Sequence, residues 1–318
     1  MRIYRHFKTL PEEVRGAVIA VGNFDGVHLG HQAVINEAGK IARADNRPWA
    51  VLTFEPHPRR IFQSNGPAFR LTSIRAKARH LAKLGVEVMI VQRFNHAFST
   101  RPAEDFVKSV LVDGFGAKHI VAGYDFVFGH NRSGNCETLL TMGQEMGFGF
   151  TAVSAKEDEN GEIFSSTRIR ECIASGDVAS AAKILGRPFE IEGRVSHGDE
   201  RGRTIGFPTL NLYLRAVAKP AFGVYAAQIE FRGRERHNVF NGIANVGIRP
   251  TFGNATPLLE AYIFDFNEEV YGKLITVSLI ERIRAEKKFD GIDALRAQIT
   301  IDCKSTRRIF RELRARKT

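Results

Sequence analysis

Residues 17–32 read AVIAVGNFDGVHLGHQ, and this stretch decides the fold of the first half of the chain. It begins with a short continuous apolar run, residues 17–21, which is typical of a strand buried on both faces. A glycine-rich turn follows. After the turn, HQAVINEAGKIARA repeats apolar residues at spacings of three and four, as an amphipathic helix does. The stretch therefore predicts a buried strand, a tight turn and a helix in succession.

The same alternation of strand and helix continues to residue 185. Further apolar runs lie at residues 50–54, 86–91, 119–122 and 148–153, with helix-like segments such as TSIRAKARHLAKLG and PAEDFVKSVLVDGFG between them. Buried strands that alternate with amphipathic helices predict a parallel sheet covered by helices on both faces. A last helix is expected over roughly residues 167–185, and GRP at residues 186–188 stops it and marks a domain boundary.

After Pro188 the pattern changes to strand-like runs separated by turns. The runs are FEIEGRV, GVYAAQIEF, HNVFNGIANV, LLEAYIFDF and KLITVSLIERI, and a helical pattern closes the chain. Such a series predicts an antiparallel sheet or small barrel. The expected fold class is α/β: an N-terminal Rossmann-like parallel sheet with helices on both faces in residues 1–186, followed by a C-terminal antiparallel β-barrel with a terminal helix in residues 187–318.

Unusual residues follow every predicted strand of the first half. In open parallel sheets, ligands bind outside the carboxyl ends of the strands. The five turns are GNFDGVHLGH (22–31), EPHP (55–58), RFNHAF (93–98), GYDFVFG (123–129) and SSTRIR (165–170). Five such turns at one predicted sheet edge indicate a binding site there.

The turn after the first strand suits a phosphate group. Its first two glycines permit a tight turn, Gly30 lets a ligand approach the helix backbone, and the helix start offers free N–H groups and its positive dipole end. His28 and His31 are three residues apart, so both can donate hydrogen bonds to phosphate oxygens. Two alternatives stay open: a metal site, for which His57 is the only obvious third ligand, and a purely structural turn. Neither G-x-G-x-x-G nor a P-loop sequence is present.

SSTRIR places hydroxyl groups and two arginines at the start of the last helix of the first half. Backbone N–H groups, hydroxyls and bidentate guanidinium groups can all bind phosphate there. Alone, this segment would be interpreted as a serine N-cap followed by surface arginines. Together with the two histidines, it favours a nucleotide phosphate site.

The composition excludes several classes of protein. With 318 residues, of which 43% are hydrophobic and 25% charged, the chain is long enough for two globular domains. No segment approaches the roughly 18 uninterrupted apolar residues of a membrane span, and no secretory signal is evident at the start. Three scattered cysteines argue against a disulfide framework and for a reducing compartment. We therefore expect a cytoplasmic protein.

The net charge of +11 would suit a nucleic-acid binder, but its distribution does not require one. Residues 304–318 hold seven basic residues against one acid, so this tail supplies +6 of the +11. A solvated basic face on a terminal helix accounts for that excess. Small-molecule substrates are expected, with no membrane partner and with nucleic acid less favoured; self-association stays open.

Taken together, the motifs resemble a known family. The HxGH and SSTxIR segments are similar to those of the HxGH nucleotidyltransferase superfamily. GNFDGVHLGHQ, TFEPHP, RLTSIRAKARHLAKLG, GYDFVFG and SSTRIR resemble the adenylyltransferase half of bacterial bifunctional riboflavin kinase/FAD synthetases. GRVSHGDERGRTIGFPTLNL, GVYA, NVGIRPTF, LEAYIFDF and YGK resemble the riboflavin kinase half of the same family. The resemblance covers nearly the whole chain in the family's order.

This resemblance implies two activities. Residues 187–318, the riboflavin kinase domain, would phosphorylate riboflavin to FMN with ATP. Residues 1–186, the FAD synthetase (FMN adenylyltransferase) domain, would adenylylate FMN to FAD with release of pyrophosphate. Mg²⁺ is the cofactor expected for the kinase, because phosphoryl transfer needs a metal to neutralise ATP. Two alternatives remain: one active half beside a flavin-binding module, and a nucleic-acid-binding protein that uses the basic tail.

In the first half, the resemblance assigns catalytic roles to His28, His31 and Arg170. The residues expected to bind ATP are Gly22, Asn23, Phe24, Asp25, His28, Gly30, His31, Ser166, Thr167 and Arg170. Those expected to hold FMN are His57, Pro58, Asp125 and Phe128. For Phe54 and Phe126, simple core packing is expected instead.

In the second half, Glu260 matches the family's catalytic base. It interrupts an apolar strand pattern, where an acid is costly unless it is paired or functional, and Asp265 on the opposite face is its competitor. Thr209 and Asn211, in the PTxN motif, would bind Mg²⁺. The residues expected to bind ATP are Gly202, Arg203, Gly206, Thr209 and Asn211. Glu260 and Arg284 are expected at the riboflavin site.

Three positions depart from the family's pattern. Val127 stands where an arginine is common, Asn135 where an aspartate is common, and Leu210 where an alanine is usual. The first two bear on flavin binding, and the third is conservative. None of them removes a residue that the chemistry requires.

Overall fold

A computed structural model describes residues 1–8, 10–63, 66, 68–197, 202, 205–214, 217–233, 239–251 and 254–316, without the side chains of 249–251 and 254–256. The chain forms two compact units. The first comprises Met1–Pro67 and Ile74–Ser165, and the second comprises Ala68–Ser73 and Ser166–Thr318. The predicted domain boundary lies about twenty residues later, at 186/187, and stays a prediction.

The first unit is built on a six-stranded sheet in which all neighbours are parallel. Its strands are β1 (Arg2–Tyr4), β2 (Val18–Val21), β3 (Trp49–Glu55), β4 (Val88–Arg93), β5 (His119–Gly123) and β6 (Gly149–Val153). The order across the sheet is β1-β4-β3-β2-β5-β6. The chain proceeds from β2 to one side and then returns to the other, so the switch point of the sheet lies between β2 and β5, where such sheets bind ligands.

Helices cover both faces of this sheet, as the sequence predicts. They are α1 (Leu29–Ala44), α2 (Pro58–Phe62), α3 (Ile74–Lys83), α4 (His96–Ser99), α5 (Ala103–Asp105, which continues as a π-helix over Phe106–Val112) and α6 (Cys136–Met146). Alternate residues of β2 point to opposite faces: Val18 packs with Ile35 of α1, whereas Ile19 packs with Phe106 and Leu139. The parallel sheet with two covered faces is therefore confirmed.

The last predicted helix of the first half consists of two helices, so the prediction of one continuous helix was wrong. They are α7 (Ser166–Ser175) and α8 (Val178–Leu185), both in the second unit. Gly176 between them adopts φ = 88° and ends α7. The carboxylate of Asp177 accepts a hydrogen bond from the Ser180 N–H at 2.9 Å and caps α8.

The rest of the second unit is a six-stranded antiparallel sheet. Its elements are β7 (Phe189–Arg194), β8 (Leu210–Tyr213), β9 (Gly223–Phe231), β10 (Val239–Thr251), β11 (Asn254–Ile263), β12 (Leu274–Ala285) and α9 (Ile292–Ala315). The order is β7-β12-β9-β10-β11-β8, and the Ser196 N–H donates to the Asn211 carbonyl at 2.9 Å, which links the two edges. The sheet is thus nearly closed, and the predicted barrel with a terminal helix is confirmed.

Helix α9 is fixed to the barrel by two ion pairs. Asp302, which is 2% exposed, accepts hydrogen bonds from Arg284 of β12 at 2.9 and 2.7 Å. Arg307 donates two bonds of 3.0 Å to Asp265, just after β11. None of the helices in the described ranges is both long and apolar enough to cross a membrane.

Replacing Asp302 with alanine is expected to destabilise the second unit by about 3–5 kcal/mol, because the substitution leaves the Arg284 guanidinium partly buried without its carboxylate. Urea unfolding measures this loss. The matched control is Asp290→Ala, an exposed acid, with an expected change within about 0.5 kcal/mol. Equal stability of the two variants would contradict the role given to Asp302.

Candidate active sites

The turn between β2 and α1 brings the two histidines together. His28, only 5% exposed, is the N-cap of α1, and its Nδ1 accepts a hydrogen bond from the His31 backbone N–H at 3.3 Å. The two imidazole rings stack with centroids 3.6 Å apart. Because Nδ1 is the acceptor, a neutral His28 carries its proton on Nε2. The pair stands at a helix N-terminus, a place that attracts anions.

The backbone of this turn is strained. Phe24 adopts φ = 45° and Val27 φ = 44°, and for a β-branched residue this region is rare. Each such residue costs on the order of 1–3 kcal/mol, and strain of this kind concentrates at functional sites. The Phe24 ring meets the His31 ring edge-on at 5.4 Å, so the strained residue supports the histidine pair directly.

Two glycines of the turn pack closely against their neighbours. A Cβ at Gly22 would lie 2.9 Å from the Phe24 ring, and a Cβ at Gly30 would lie 3.1 Å from the Phe164 carbonyl oxygen. Neither glycine has a positive φ, so the reason for Gly22 is crowding rather than the tight turn that the sequence suggested. Asp25, 3% exposed, completes the turn.

Lys77 of α3 holds the same turn and was not identified from the sequence. It is 5% exposed, and its Nζ donates to the Asn23 carbonyl at 2.6 Å and to the Thr53 hydroxyl at 3.0 Å. The Thr53 hydroxyl in turn donates to the same Asn23 carbonyl at 3.0 Å. The sequence does contain a signal for it, because Lys77 lies on the apolar face of its helix, three residues after Ile74 and four before Leu81.

The residues predicted to hold FMN flank this turn, because β3 and β5 are the neighbours of β2. His57 caps α2 by accepting a hydrogen bond from the Arg59 N–H at 3.2 Å, and Pro58 is the first residue of that helix. Asp125 is exposed in the turn after β5. The structure thus brings His57, Pro58 and Asp125 to one edge of the sheet.

Phe128 lies in an aromatic cluster beneath that edge. It is 8% exposed, and its ring contacts those of Phe106 at 5.4 Å and Phe126 at 5.5 Å. Phe54 and Phe126 pack in the same core, as predicted. Contact between Phe128 and FMN stays a prediction.

Asn135, one of the departures from the family's pattern, caps α6. Its Oδ1 accepts a hydrogen bond from the Thr138 N–H at 3.0 Å, and the Thr138 hydroxyl accepts one from the Asn135 N–H at 3.3 Å. Asparagine and aspartate are about equally good N-caps, so the departure preserves the local structure.

The SSTRIR segment begins α7, with Ser166 and Thr167 in its first turn. Arg170 donates from Nε to the Phe69 carbonyl at 2.8 Å, and its guanidinium lies 5.4 Å above the Phe69 ring. Ser166, Thr167 and Arg170 belong to the second unit. Their action together with His28 and His31 on one nucleotide stays a prediction.

A row of directly paired residues crosses five strands of the barrel. In order it consists of Arg284 (β12), Val224 (β9), Asn245 (β10), Glu260 (β11) and Asn211 (β8). Directly paired residues of antiparallel strands point to the same face, and neighbouring strands are about 4.8 Å apart. Glu260 therefore lies between Asn211 and Asn245, with Arg284 in the same row roughly 14 Å away. Asn245 was missed, although it too interrupts an apolar strand.

The row lies on the outer surface of the barrel. Val224 packs with Ile243, Phe264 and the partly buried Cys303 of α9, whereas the alternate residues of these strands, such as Leu212 and Leu259, fill the interior. On this face Asn211 is buried, and Asn245, Glu260 and Arg284 are partly buried.

Asn211 carries an unusual buried oxygen. The residue is 5% exposed, and its Oδ1 accepts no hydrogen bond within the described ranges. An amide oxygen is a ligand that Mg²⁺ accepts, as is the hydroxyl of Thr209 two residues earlier. These residues therefore fit the predicted magnesium site, although the described side chains contain no cluster of three histidine, cysteine or acidic ligands.

The predicted ATP-binding loop of the second half folds against Thr209. The Phe207 N–H donates to the Gly202 carbonyl at 2.8 Å, and a Cβ at Gly202 would lie 2.3 Å from the Phe207 carbonyl oxygen and 3.3 Å from the Thr209 hydroxyl. Gly206 has φ = 86°. Arg203 lies outside the described residues.

Asp265, the competitor of Glu260, is already engaged. It lies in the turn after β11, and the hydrogen bonds from Arg307 lower its pKa below the usual value. Its carboxylate thus fixes α9 to the barrel. Arg284 is held by Asp302, so its guanidinium has a fixed orientation in the row.

Comparisons with known proteins identify the family of each half of the chain. Residues 10–168 match the family described as FAD synthetase, and residues 185–310 match riboflavin kinase. The chain is similar to three bifunctional riboflavin kinase/FMN adenylyltransferases. It is 38% identical to that of Haemophilus influenzae, over 98% of this chain and 99% of the relative. It is 40% identical to those of Escherichia coli K12, over 94% of each chain, and Bacillus subtilis 168, over 96% of each.

A crystal structure of a protein from Streptococcus pneumoniae, described as a macrolide-efflux protein, is 34% identical with a TM-score of 0.84 and covers 96% of this chain and 99% of its own. The agreement over both halves of the sequence confirms the resemblance found in the motifs. The chain belongs to the family of bifunctional riboflavin kinase/FMN adenylyltransferases.

Proposed function

We propose that this chain carries out two successive reactions at two separate sites. The barrel phosphorylates riboflavin to FMN, and the parallel-sheet half transfers AMP from ATP to FMN, giving FAD and pyrophosphate. The observation that supports two separate sites is the row Asn245–Glu260–Asn211, which forms a polar site from barrel strands alone. The three free cysteines of the chain suit the reducing cytoplasm, where we expect the protein to act.

In adenylyl transfer, the histidine pair stabilises charge. No covalent enzyme intermediate is needed, so catalysis consists of positioning and electrostatic stabilisation. The Nε2–H of His28 and the ring of His31 donate to ATP phosphate oxygens, and the N-terminus of α1 adds its own N–H groups. We assign Ser166, Thr167 and Arg170 to the same nucleotide. His57, Pro58, Asp125 and Phe128 hold FMN.

In phosphorylation, Glu260 accepts the proton of the riboflavin hydroxyl. Its neighbour Asn211 offers the buried Oδ1, and Thr209 its hydroxyl, to Mg²⁺. When bound, Mg²⁺ neutralises the phosphate charge of ATP. Gly202 and Gly206 let the loop approach the nucleotide, and Arg203 is assigned to the same loop from the sequence alone.

Incubation of the protein with riboflavin, ATP and Mg²⁺ tests this function. Separation of the flavins over time should show FMN first and FAD afterwards, and omission of Mg²⁺ should stop FMN formation. Folded protein that forms neither product, with oxidised or reduced riboflavin, would refute the proposal.

Lys77→Met is expected to slow FMN adenylylation by roughly tenfold or more while riboflavin phosphorylation stays unchanged. The substitution keeps the apolar stem but removes a charged donor from the Asn23 carbonyl, and such a bond contributes about 1.5–3 kcal/mol. The two activities are measured separately, with Lys83→Met at an exposed position of the same helix as control. Unchanged adenylylation would show that Lys77 does not position the turn.

A further inference from the structure

A second cleft lies in the first unit, at the carboxyl ends of β1 and β4. Its volume is about 430 Å³, and residues 6–8, 92, 93, 95, 97, 98 and 101 line it. β4 is two strands away from β2, so the cleft lies roughly 10 Å along the sheet edge from the histidine turn. It contains none of the residues assigned above to ATP or FMN.

Gln92 presents a buried acceptor to this cleft. The residue is 5% exposed, and its Nε2 donates to the Arg93 carbonyl at 2.9 Å, which fixes the orientation of the amide. Its Oε1 is buried and accepts no hydrogen bond from the residues that the structure describes. A buried acceptor of this kind is costly unless a ligand or water supplies a donor.

Arg101, also in the lining of the cleft, has a hydrogen-bond donor that complements the Gln92 acceptor. Its Nη1 pairs with Asp105, and its guanidinium lies 5.6 Å from the Phe98 ring, so the group is held in place. Its Nε is buried and has no acceptor among the described residues. A fixed guanidinium with an unused N–H is a ready binding group for an oxyanion.

The charges around the cleft have one sign. The charged residues that line it are Lys8, Arg93 and Arg101, and the described part of the lining contains no acidic residue. Asp105, which pairs with Arg101, lies outside the lining. The cleft therefore attracts anions, and Phe7 and Phe98 give it an apolar wall.

We propose that this cleft binds a small phosphate ester that carries a hydroxyl group. The phosphate accepts a hydrogen bond from Arg101 Nε, with Lys8 and Arg93 adding positive charge. The hydroxyl donates to Gln92 Oε1, which would otherwise stay unpaired. The site is separate from both catalytic sites and does not require their assignment to be correct.

Amide resonances of the full-length ¹⁵N-labelled protein test the site with ribose 5-phosphate as probe. Resonances of residues 6–8 and 92–101 should shift in a saturable manner, independently of those at 26–31, which report the histidine turn. Arg101→Gln should weaken the effect on the first set on the order of tenfold or more and leave the second set unchanged. Lys83→Gln, which also removes one positive charge, should change neither set.

Two further binding measurements distinguish a hydroxylated phosphate ester from other anions. In the parent protein, ribose 5-phosphate should bind more tightly than inorganic phosphate, and Gln92→Leu should abolish that preference while the protein remains folded. Glycerate, a hydroxylated carboxylate, should bind more weakly than the phosphate ester. The proposal is overturned by the absence of shifts at 6–8 and 92–101, by equal binding to Arg101→Gln, or by preference for glycerate.

Discussion

Replacing His31 with alanine is expected to stop FAD formation while FMN accumulates. In the proposed function the imidazole donates to charge that develops on the ATP phosphates, and removal of one such donor lowers the rate about 10²-fold or more. His31 is a better test than His28, because the helix cap uses the His28 ring and the His31 backbone N–H, both of which remain in the variant. Riboflavin phosphorylation should continue, and chromatography of both flavin products measures the two rates.

The control for this variant is His96→Ala, an exposed histidine in α4. It should keep both activities. If His31→Ala remained folded and still formed FAD at the parent rate, the histidine pair would have no role in adenylyl transfer. If it lost FMN formation as well, the assignment of two separate sites would be wrong.

Glu260→Gln is expected to have the opposite effect: FMN formation should fall by about 10²–10⁴-fold, and conversion of added FMN to FAD should persist. Glutamine keeps the shape and hydrogen-bonding capacity between Asn211 and Asn245 but cannot accept the substrate proton. Initial rates with riboflavin and with FMN as separate substrates measure both effects.

The matched control is Asp265→Asn, which removes a carboxylate from the same region of the barrel. Because Asp265 is exposed and paired with Arg307, its loss should affect phosphorylation far less than that of Glu260. If the Asp265 variant lost more riboflavin phosphorylation than the Glu260 variant, Asp265 would be the catalytic base instead of Glu260.

Much of the fold could be predicted because its signals are local. In the first half, continuous apolar runs predicted five strands, and apolar residues at spacings of three and four predicted the helices between them. Each of these patterns depends only on which faces of its own element are buried. The exceptions are short or interrupted elements. β1 has three largely exposed residues, and β8 was not among the predicted strands. Gly176 and Asp177 divide a helix whose periodicity looked continuous.

Residue patterns alone predict a candidate site only where one motif holds several residues, as the histidine turn does. In the barrel row, the family resemblance named Asn211, Glu260 and Arg284 but not Asn245. The row itself could not be predicted, because its residues come from different strands, and the alternation of each strand predicts a face but not which residues lie opposite one another. Lys77 and Gln92 were missed because their hydrogen-bonding surroundings exist only after folding.

The pairing of Arg307 with Asp265 changes how the basic tail must be studied. Truncation before residue 304 would remove Arg307, and with it one of the two ion pairs that attach α9 to the barrel. The other pair, through Asp302 of the same helix, orients Arg284 in the barrel row. A shortened protein with weak riboflavin phosphorylation would then indicate a loosened helix, whatever the tail binds. Charge reversal at the exposed Arg311 and Arg316 would separate these effects, because it alters the electrostatic field of the tail and leaves the anchoring contacts in place.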